Sequence, residues 1–293
     1  MKKILQRTIE QGYSGNVKHY ARAVMGISSN LLKRIKMSDG IRVNGKSEYV
    51  VKELKEGDVL TLIVENDSSS KNVYAKAGEI VIVYEDEDIL VLNKQAPLPV
   101  HPSKGHVDDS LANRVTAYFA AQGESYTTRI VTRLDSGTSG LMVLAKHAFA
   151  HDMLQKQLHV GFVRKYLAVV EGCPAPPDGV VNAPISREQG PSIKRIISDD
   201  GQSAITHYQT LKTVNGRSLV SLQLQTGRTH QIRVHMAHIG CPLVGDFLYG
   251  SEHPKINRTA LHSCHMEFLH PVTKEKMVFD CPLSPEMEAL LKE

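Results

Sequence analysis

From Glu79 to the C-terminus, short apolar stretches follow one another across hairpin-length connections, with only occasional helical patterning between them. A doubly wound parallel sheet needs a crossover helix after nearly every strand, and that rhythm is missing. The expected architecture is therefore α+β, with a mixed and mostly antiparallel sheet. IVIVYEDEDILVLNK reads as two strands around an acidic turn. Between Arg129 and Gly172, IVTRLD reads as a strand, SGTSG as a tight polar turn and LMVLAK as a second strand. HAFAHDMLQKQLHVG then reads as a helix closed by Gly161, and RKYLAVVEG as a further strand. No fixed-period repeat interrupts this order.

The first 65 residues are of another kind. They read as helices followed by a short β hairpin region, with Val24, Ile27, Leu31, Leu32 and Ile35 at helical spacing before Gly40, then IRVNG and DVLTLIVE. They hold 12 Lys+Arg against 7 Asp+Glu, which exceeds the whole chain's net charge of +4. A small basic module of this kind suits contact with phosphates, although a solvated basic face has the same composition. The Ser-rich stretch NDSSSKNVYAKAG, residues 66–78, is the expected linker to a larger domain over 79–293.

A chain of 293 residues can bury a core without staples, and the four cysteines are scattered with no C-x-x-C pair. No N-terminal apolar run resembles a signal peptide or membrane span, so a reducing cytoplasm is expected. His262, Cys264 and His265 come nearest to a metal cluster, but strand alternation puts His265 on the face opposite the other two. No metal site is expected.

Asp135 stands between an apolar stretch and a turn with two glycines and three hydroxyls, where a carboxylate is both held and reachable. Aspartates at such turns commonly cap backbone N–H groups, and the local sequence alone favours that role. A second cluster, Ser221 to Gly250, shifts the balance. An alternating strand enters a Gly turn, and a helix is expected to begin close to Thr226 or Thr229. Arg228, His230 and Arg233 then crowd its first turns, where cations oppose the macrodipole. An anionic partner, whether an RNA backbone, a carboxylate such as Asp135, or both, accounts for them.

TRLDSGTSGLMVLAK (132–146), RKYLAVVEG (164–172) and TGRTHQIRVHMAHIGCPLVGDFLYG (226–250) closely resemble the signature segments of the RluA-type pseudouridine synthases. DILVLNKQAPLPVHPSKGH (88–106) looks like that family's opening motif, and the likeness runs from about residue 79 to the end. More loosely, LLKRIKMSDGIRVNGK and EGDVL resemble an S-four type RNA-binding domain.

The resemblance implies Asp135 as the catalytic nucleophile, Tyr166 as the aromatic that stacks on the target base, and Arg233 as the partner that holds Asp135. It implies Arg133 as the side chain that fills the gap left by a flipped nucleotide. Arg228 and His230, with Lys33, Arg34 and Arg42 of the N-terminal module, are the expected RNA contacts. Thr132 stands where the family usually has His, and Gln95 where it usually has Pro.

The implied partner is RNA, with large-subunit ribosomal RNA first and tRNA second, acted on by a monomer without a cofactor. A detached uracil carries its own negative charge, so one carboxylate is enough, whereas a glycoside hydrolase needs a second. Two rival readings are a non-catalytic RNA binder and a base-releasing hydrolase. The first would tolerate loss of the Asp135 carboxylate, and the second would need another acid or base near it. Deleting residues 1–65 is expected to weaken RNA binding and its salt dependence while leaving the rest folded.

Overall fold

A computed structural model describes residues 2–65, 73–103, 108–124, 127–158 and 160–292. The larger part is built on a ten-stranded sheet. Its path runs Asp178–Asn182, Ile205–Val214, Arg217–Leu224, Val163–Glu171, Leu261–Leu269, Ser139–Ala145, Ile89–Lys94, Val81–Glu85. Lys276–Asp280 and Arg129–Ile130 pair from beside this path. One pairing is parallel, Ser139–Gly140 with His262–Ser263, and the other described pairings of the sheet are antiparallel. The sheet is thus mixed and mostly antiparallel, as expected.

That one parallel contact depends on Gly140. Its φ is +106°, and a Cβ there would lie 2.2 Å from the Ser263 carbonyl oxygen, so the two strands could not close. Alternation then sorts the strands into two cores. Ile89, Val91, Leu141 and Val143 face one cluster, while Leu90, Leu92, Met142 and Leu144 face the other with Tyr166, Ala168 and Val170.

The first 65 residues form a four-stranded antiparallel sheet in the order Lys2–Thr8, Val59–Glu65, Ile41–Val43, Lys46–Ser47. The opening strand corrects the expectation of helices there. It hides only Leu5, so it carries no alternating signal, and its seven residues are held by pairing with Val59–Glu65 instead. The expected helical run is also divided. Gly26, at φ +71°, breaks it, and Ser28 restarts it as helix Ser29–Met37 by accepting a hydrogen bond from the Leu31 N–H at 3.2 Å. Of the expected linker, residues 66–72 lie outside the described residues.

Helix Ala148–Gln157 joins this module to the large sheet. Phe149 and Met153, one turn apart, enter the module's core with Leu31, Leu62 and Val64, while Ala150 and Leu154 enter the sheet's core. His147 caps the helix, its Nδ1 accepting from the Ala150 N–H, so its Nε2–H donates to Asp88 at 2.7 Å. Lys3 of the module reaches the same buried carboxylate at 2.5 Å. Burial alone would raise the Asp88 pKa, but the His147 and Lys3 contacts hold it below the usual carboxylate range. The Ser28 N–H also donates to Asp152 at 2.9 Å.

His262 shows how this core responds to acid. Its Nδ1 shares a 2.8 Å hydrogen bond with the Ser139 hydroxyl, and burial pushes its pKa from the usual 6.5 down to about 4, with Arg258 adding to the effect. Between those values the unfolded chain takes up the proton and the folded chain does not, so stability falls as pH drops through that window. The melting temperature should decline from about pH 6.5 toward 4, and His262→Gln should make that decline shallower. The four cysteines are free thiols, and among the described residues no helix is long and apolar enough to cross a membrane.

Candidate active site

Asp135 lies on a loop, where the sequence pattern predicted the end of a strand. The ladder stops early because Val143 donates to the Thr132 side-chain oxygen at 3.2 Å, one residue after its carbonyl accepts from Val131. Residues 133–135 leave the sheet from there. The main-chain oxygen of Asp135 accepts from Thr138 and closes the turn. The next two carbonyls are pinned by buried cations. Ser136 receives the Lys94 ammonium at 3.1 Å, and Gly137 receives Arg258 at 3.3 Å.

Lys94 gives its remaining donors to the carbonyls of Gln95 and Leu98, and Arg258 is held by Glu286. Burial pushes the Lys94 pKa down to about 7, with Arg258 lowering it further and Asp135 opposing. The loop is therefore fixed through its backbone, which leaves the Asp135 side chain available.

The carboxylate does not cap the turn. Its hydrogen-bond partner among the described residues is Arg233, whose Nη1 donates to Oδ2 at 3.3 Å. His230 Nε2 stands 3.9 Å from the same oxygen. Arg233 itself is aimed by Asp246, which is fully buried and accepts from Nε and Nη2, both at 2.7 Å. The two-pronged pair leaves Nη1 to face Asp135. Asp246 also accepts from the backbone N–H groups of Leu248 and Tyr249.

Helix Gln231–His238 begins later than Thr226 or Thr229. Gln231 is the reason, because its Oε1 gathers the Thr226 hydroxyl and the Arg228 N–H and ties the preceding loop before the helix starts. Arg228 and His230 therefore stand on that loop, and Arg233 alone lies within the first turn.

Two adjoining hollows meet at Asp135. A cleft of about 480 Å³ is lined by Thr132, Arg133, Arg164, Tyr166, Arg228 and others, and it narrows into a pocket that includes Tyr166, His230 and Arg233. Among the described residues lining either hollow, Asp135 is the one acid. Tyr166 is buried at the base of the cleft, and its pKa is raised chiefly by that burial. Arg133 is exposed at the cleft.

The expected residues Asp135, Tyr166, Arg233, Arg133, Arg228 and His230 are thus brought together. Lys33 and Arg34 lie exposed on helix Ser29–Met37 and Arg42 half-buried on strand Ile41–Val43, and none of them lines these hollows.

Sequence reasoning missed Asp246, Tyr249, Lys94, Arg258 and Arg164. Arg164 lines the cleft with its Nε buried and without a hydrogen-bond partner among the described residues, and Gly227 leaves it room, since a Cβ there would come 3.2 Å from the guanidinium. Of the metal-type side chains, His262 bonds Ser139 and His265 bonds Asp280. The group that does converge is Asp86, Asp88 and His270, where the Lys3 ammonium already holds Asp88.

What this site can do is limited by its one reachable carboxylate. An ionised Asp135 beside a fixed guanidinium can attack an electrophilic carbon or remove a proton. Among the described residues no second acid lines the cleft to activate water. The surrounding arginines suit a polyanion and the Tyr166 ring suits a planar base.

The chain matches the model of a family described as RNA pseudouridylate synthase over residues 88–238. It is 44% identical over 278 residues to "Uncharacterized RNA pseudouridine synthase YjbO" of Bacillus subtilis, covering 94% of this chain and 98% of that one. It is 38% identical over 246 residues to "Ribosomal large subunit pseudouridine synthase D" of Pseudomonas aeruginosa, covering 78% and 77% of the two chains. Among solved structures it resembles human RNA Pseudouridylate Synthase Domain Containing 1, with TM-score 0.60 and 24% identity over 73% of this chain and 89% of that one. That last likeness concerns the fold.

Proposed function

The chain belongs to the RNA pseudouridylate synthase family, of the RluA type, and from that premise we propose that it isomerises uridines of 23S ribosomal RNA with Asp135 as nucleophile. The observation that carries the role of Asp135 is its isolation. Among the described residues it is the one acid lining a basic cleft, its backbone is pinned at the two following residues, and the Arg233 guanidinium donates to its carboxylate.

In the reaction, the target base leaves the RNA stack, which costs a few kcal/mol, and lies against Tyr166 while Arg133 fills the vacancy. Asp135 then either bonds to the anomeric carbon or removes the ribose 2′ proton. In both routes the electron pair of the carbon–nitrogen bond departs with uracil. The base turns and its C5 bonds to C1′ as the Asp135–C1′ bond breaks or, in the second route, as Asp135 returns the proton to C2′; the C5 proton is then lost and N1 of the ring gains one.

Large-subunit RNA is favoured by the relatives named for that substrate and by the basic N-terminal module, with tRNA the second candidate. Pseudouridine mapping on ribosomal and transfer RNA from cells lacking this chain tests the choice. Sites in 23S RNA should vanish and return with the native chain. Loss confined to tRNA would overturn the substrate assignment and leave the chemistry intact.

A further inference from the structure

Tyr249 touches neither hollow, yet it contacts both side chains that stand over Asp135. Its ring lies 5.1 Å from the Arg233 guanidinium carbon, and its hydroxyl is 2.9 Å from His230 Nδ1. The same oxygen accepts from the Arg195 backbone N–H at 2.7 Å. With the oxygen taken by that donor, the hydroxyl hydrogen has one acceptor among the described residues, His230 Nδ1. A neutral His230 accepting there carries its own hydrogen on Nε2, the nitrogen that faces Asp135 Oδ2.

The backbone at His230 supports a role for the ring. Its φ is +57°, a left-handed conformation that a residue with a side chain seldom adopts. Burial also keeps the imidazole neutral by lowering its pKa, with Asp135 opposing and Arg233 and Arg195 reinforcing.

We propose that Tyr249 is a positioning residue: it fixes His230 in the Nε2–H form, so that His230 and Arg233 together hold Asp135 Oδ2 and leave Oδ1 to face the nucleoside. The present 3.9 Å separation is one that closure on substrate would shorten to a hydrogen bond. Both described contacts of the carboxylate fall on Oδ2, which is why the free oxygen is Oδ1. The inference rests on Asp135 being the nucleophile.

The test is Tyr249→Phe, which keeps the ring under Arg233 and removes only the hydroxyl. Nitrogen-15 NMR of histidine-labelled protein should show His230 of the native chain protonated on Nε2, and a mixture of both tautomers in the variant. A native His230 protonated on Nδ1, or a tautomer indifferent to the substitution, overturns the proposal. On transcribed, unmodified 23S RNA, kcat should fall about tenfold with KM within about twofold, the scale of one lost hydrogen bond. His230→Gln, which keeps an N–H donor, should retain more activity than His230→Ala. If Asp135→Asn is inactive while Tyr249→Phe runs at the native rate, the Tyr249 inference falls alone. If Asp135→Asn is active, the nucleophile assignment falls first.

Discussion

Arg233→Ala should lower stability by about 3–5 kcal/mol and abolish turnover, because it leaves the Asp246 carboxylate buried without its partner. Few single substitutions in this chain should cost more. Arg233→Lys keeps the charge but loses the planar fork, so one of the two 2.7 Å bonds or the 3.3 Å contact to Asp135 must go. Its stability should be intermediate and its activity still low. Adding Asp246→Ala to Arg233→Ala should restore part of the lost stability, since no uncompensated charge then remains, and none of the activity. Urea unfolding of the three variants measures the first effect. Conversion of an RNA transcript measures the second.

The second large effect is expected from removing residues 1–65. The sequence pattern suggests a detachable module, but helix Ala148–Gln157 has one face in the module's core and the other in the sheet's core. Truncation would bare Phe149 and Met153. At roughly 1.5–3 kcal/mol for each large apolar side chain returned to water, the remainder should lose about 3–6 kcal/mol. Asp88 would lose Lys3 and Asp152 would lose the Ser28 N–H as well. Thermal melting with light scattering should show the truncated chain unfolding at lower temperature and aggregating. Phe149→Ser with Met153→Lys in the truncated chain should recover solubility. If the truncated protein melts as the full chain does, the shared helix contributes nothing.

Some of this was legible in the sequence and some was not, for identifiable reasons. Apolar runs in LMVLAK and RKYLAVVEG located the central strands, and both strands bury successive residues in two different cores. The strand Lys2–Thr8 was invisible because its order comes from pairing with a segment more than fifty residues away, and it buries a single leucine. IVTRLD reads as a full strand because of its apolar positions, of which Val131 and Leu134 are buried, yet Thr132 ends the ladder with a side-chain oxygen.

At the site, Asp135, Tyr166 and Arg233 stood in motifs whose residue types announce chemistry. Asp246 and Tyr249 stood in the same quoted run, but their task is to orient Arg233 and His230, and that depends on contacts across the fold. One signal was available for Asp246. A buried arginine at a helix start requires a full carboxylate partner, and that aspartate is the next one along the chain. Lys94 and Arg258 act on backbone carbonyls, which leave no trace in side-chain patterns.

The central claim is that the Asp135 carboxylate performs the reaction while the rest of the cleft binds and positions RNA. The direct measurement is single-turnover conversion of uridine to pseudouridine in a transcript carrying the mapped site, by native chain and Asp135→Asn, with RNA affinity and melting temperature taken in parallel. The account predicts a loss of at least about a thousandfold in rate, with affinity within about twofold and melting essentially unchanged. An asparagine variant that converts the transcript at a rate near the native one would contradict it.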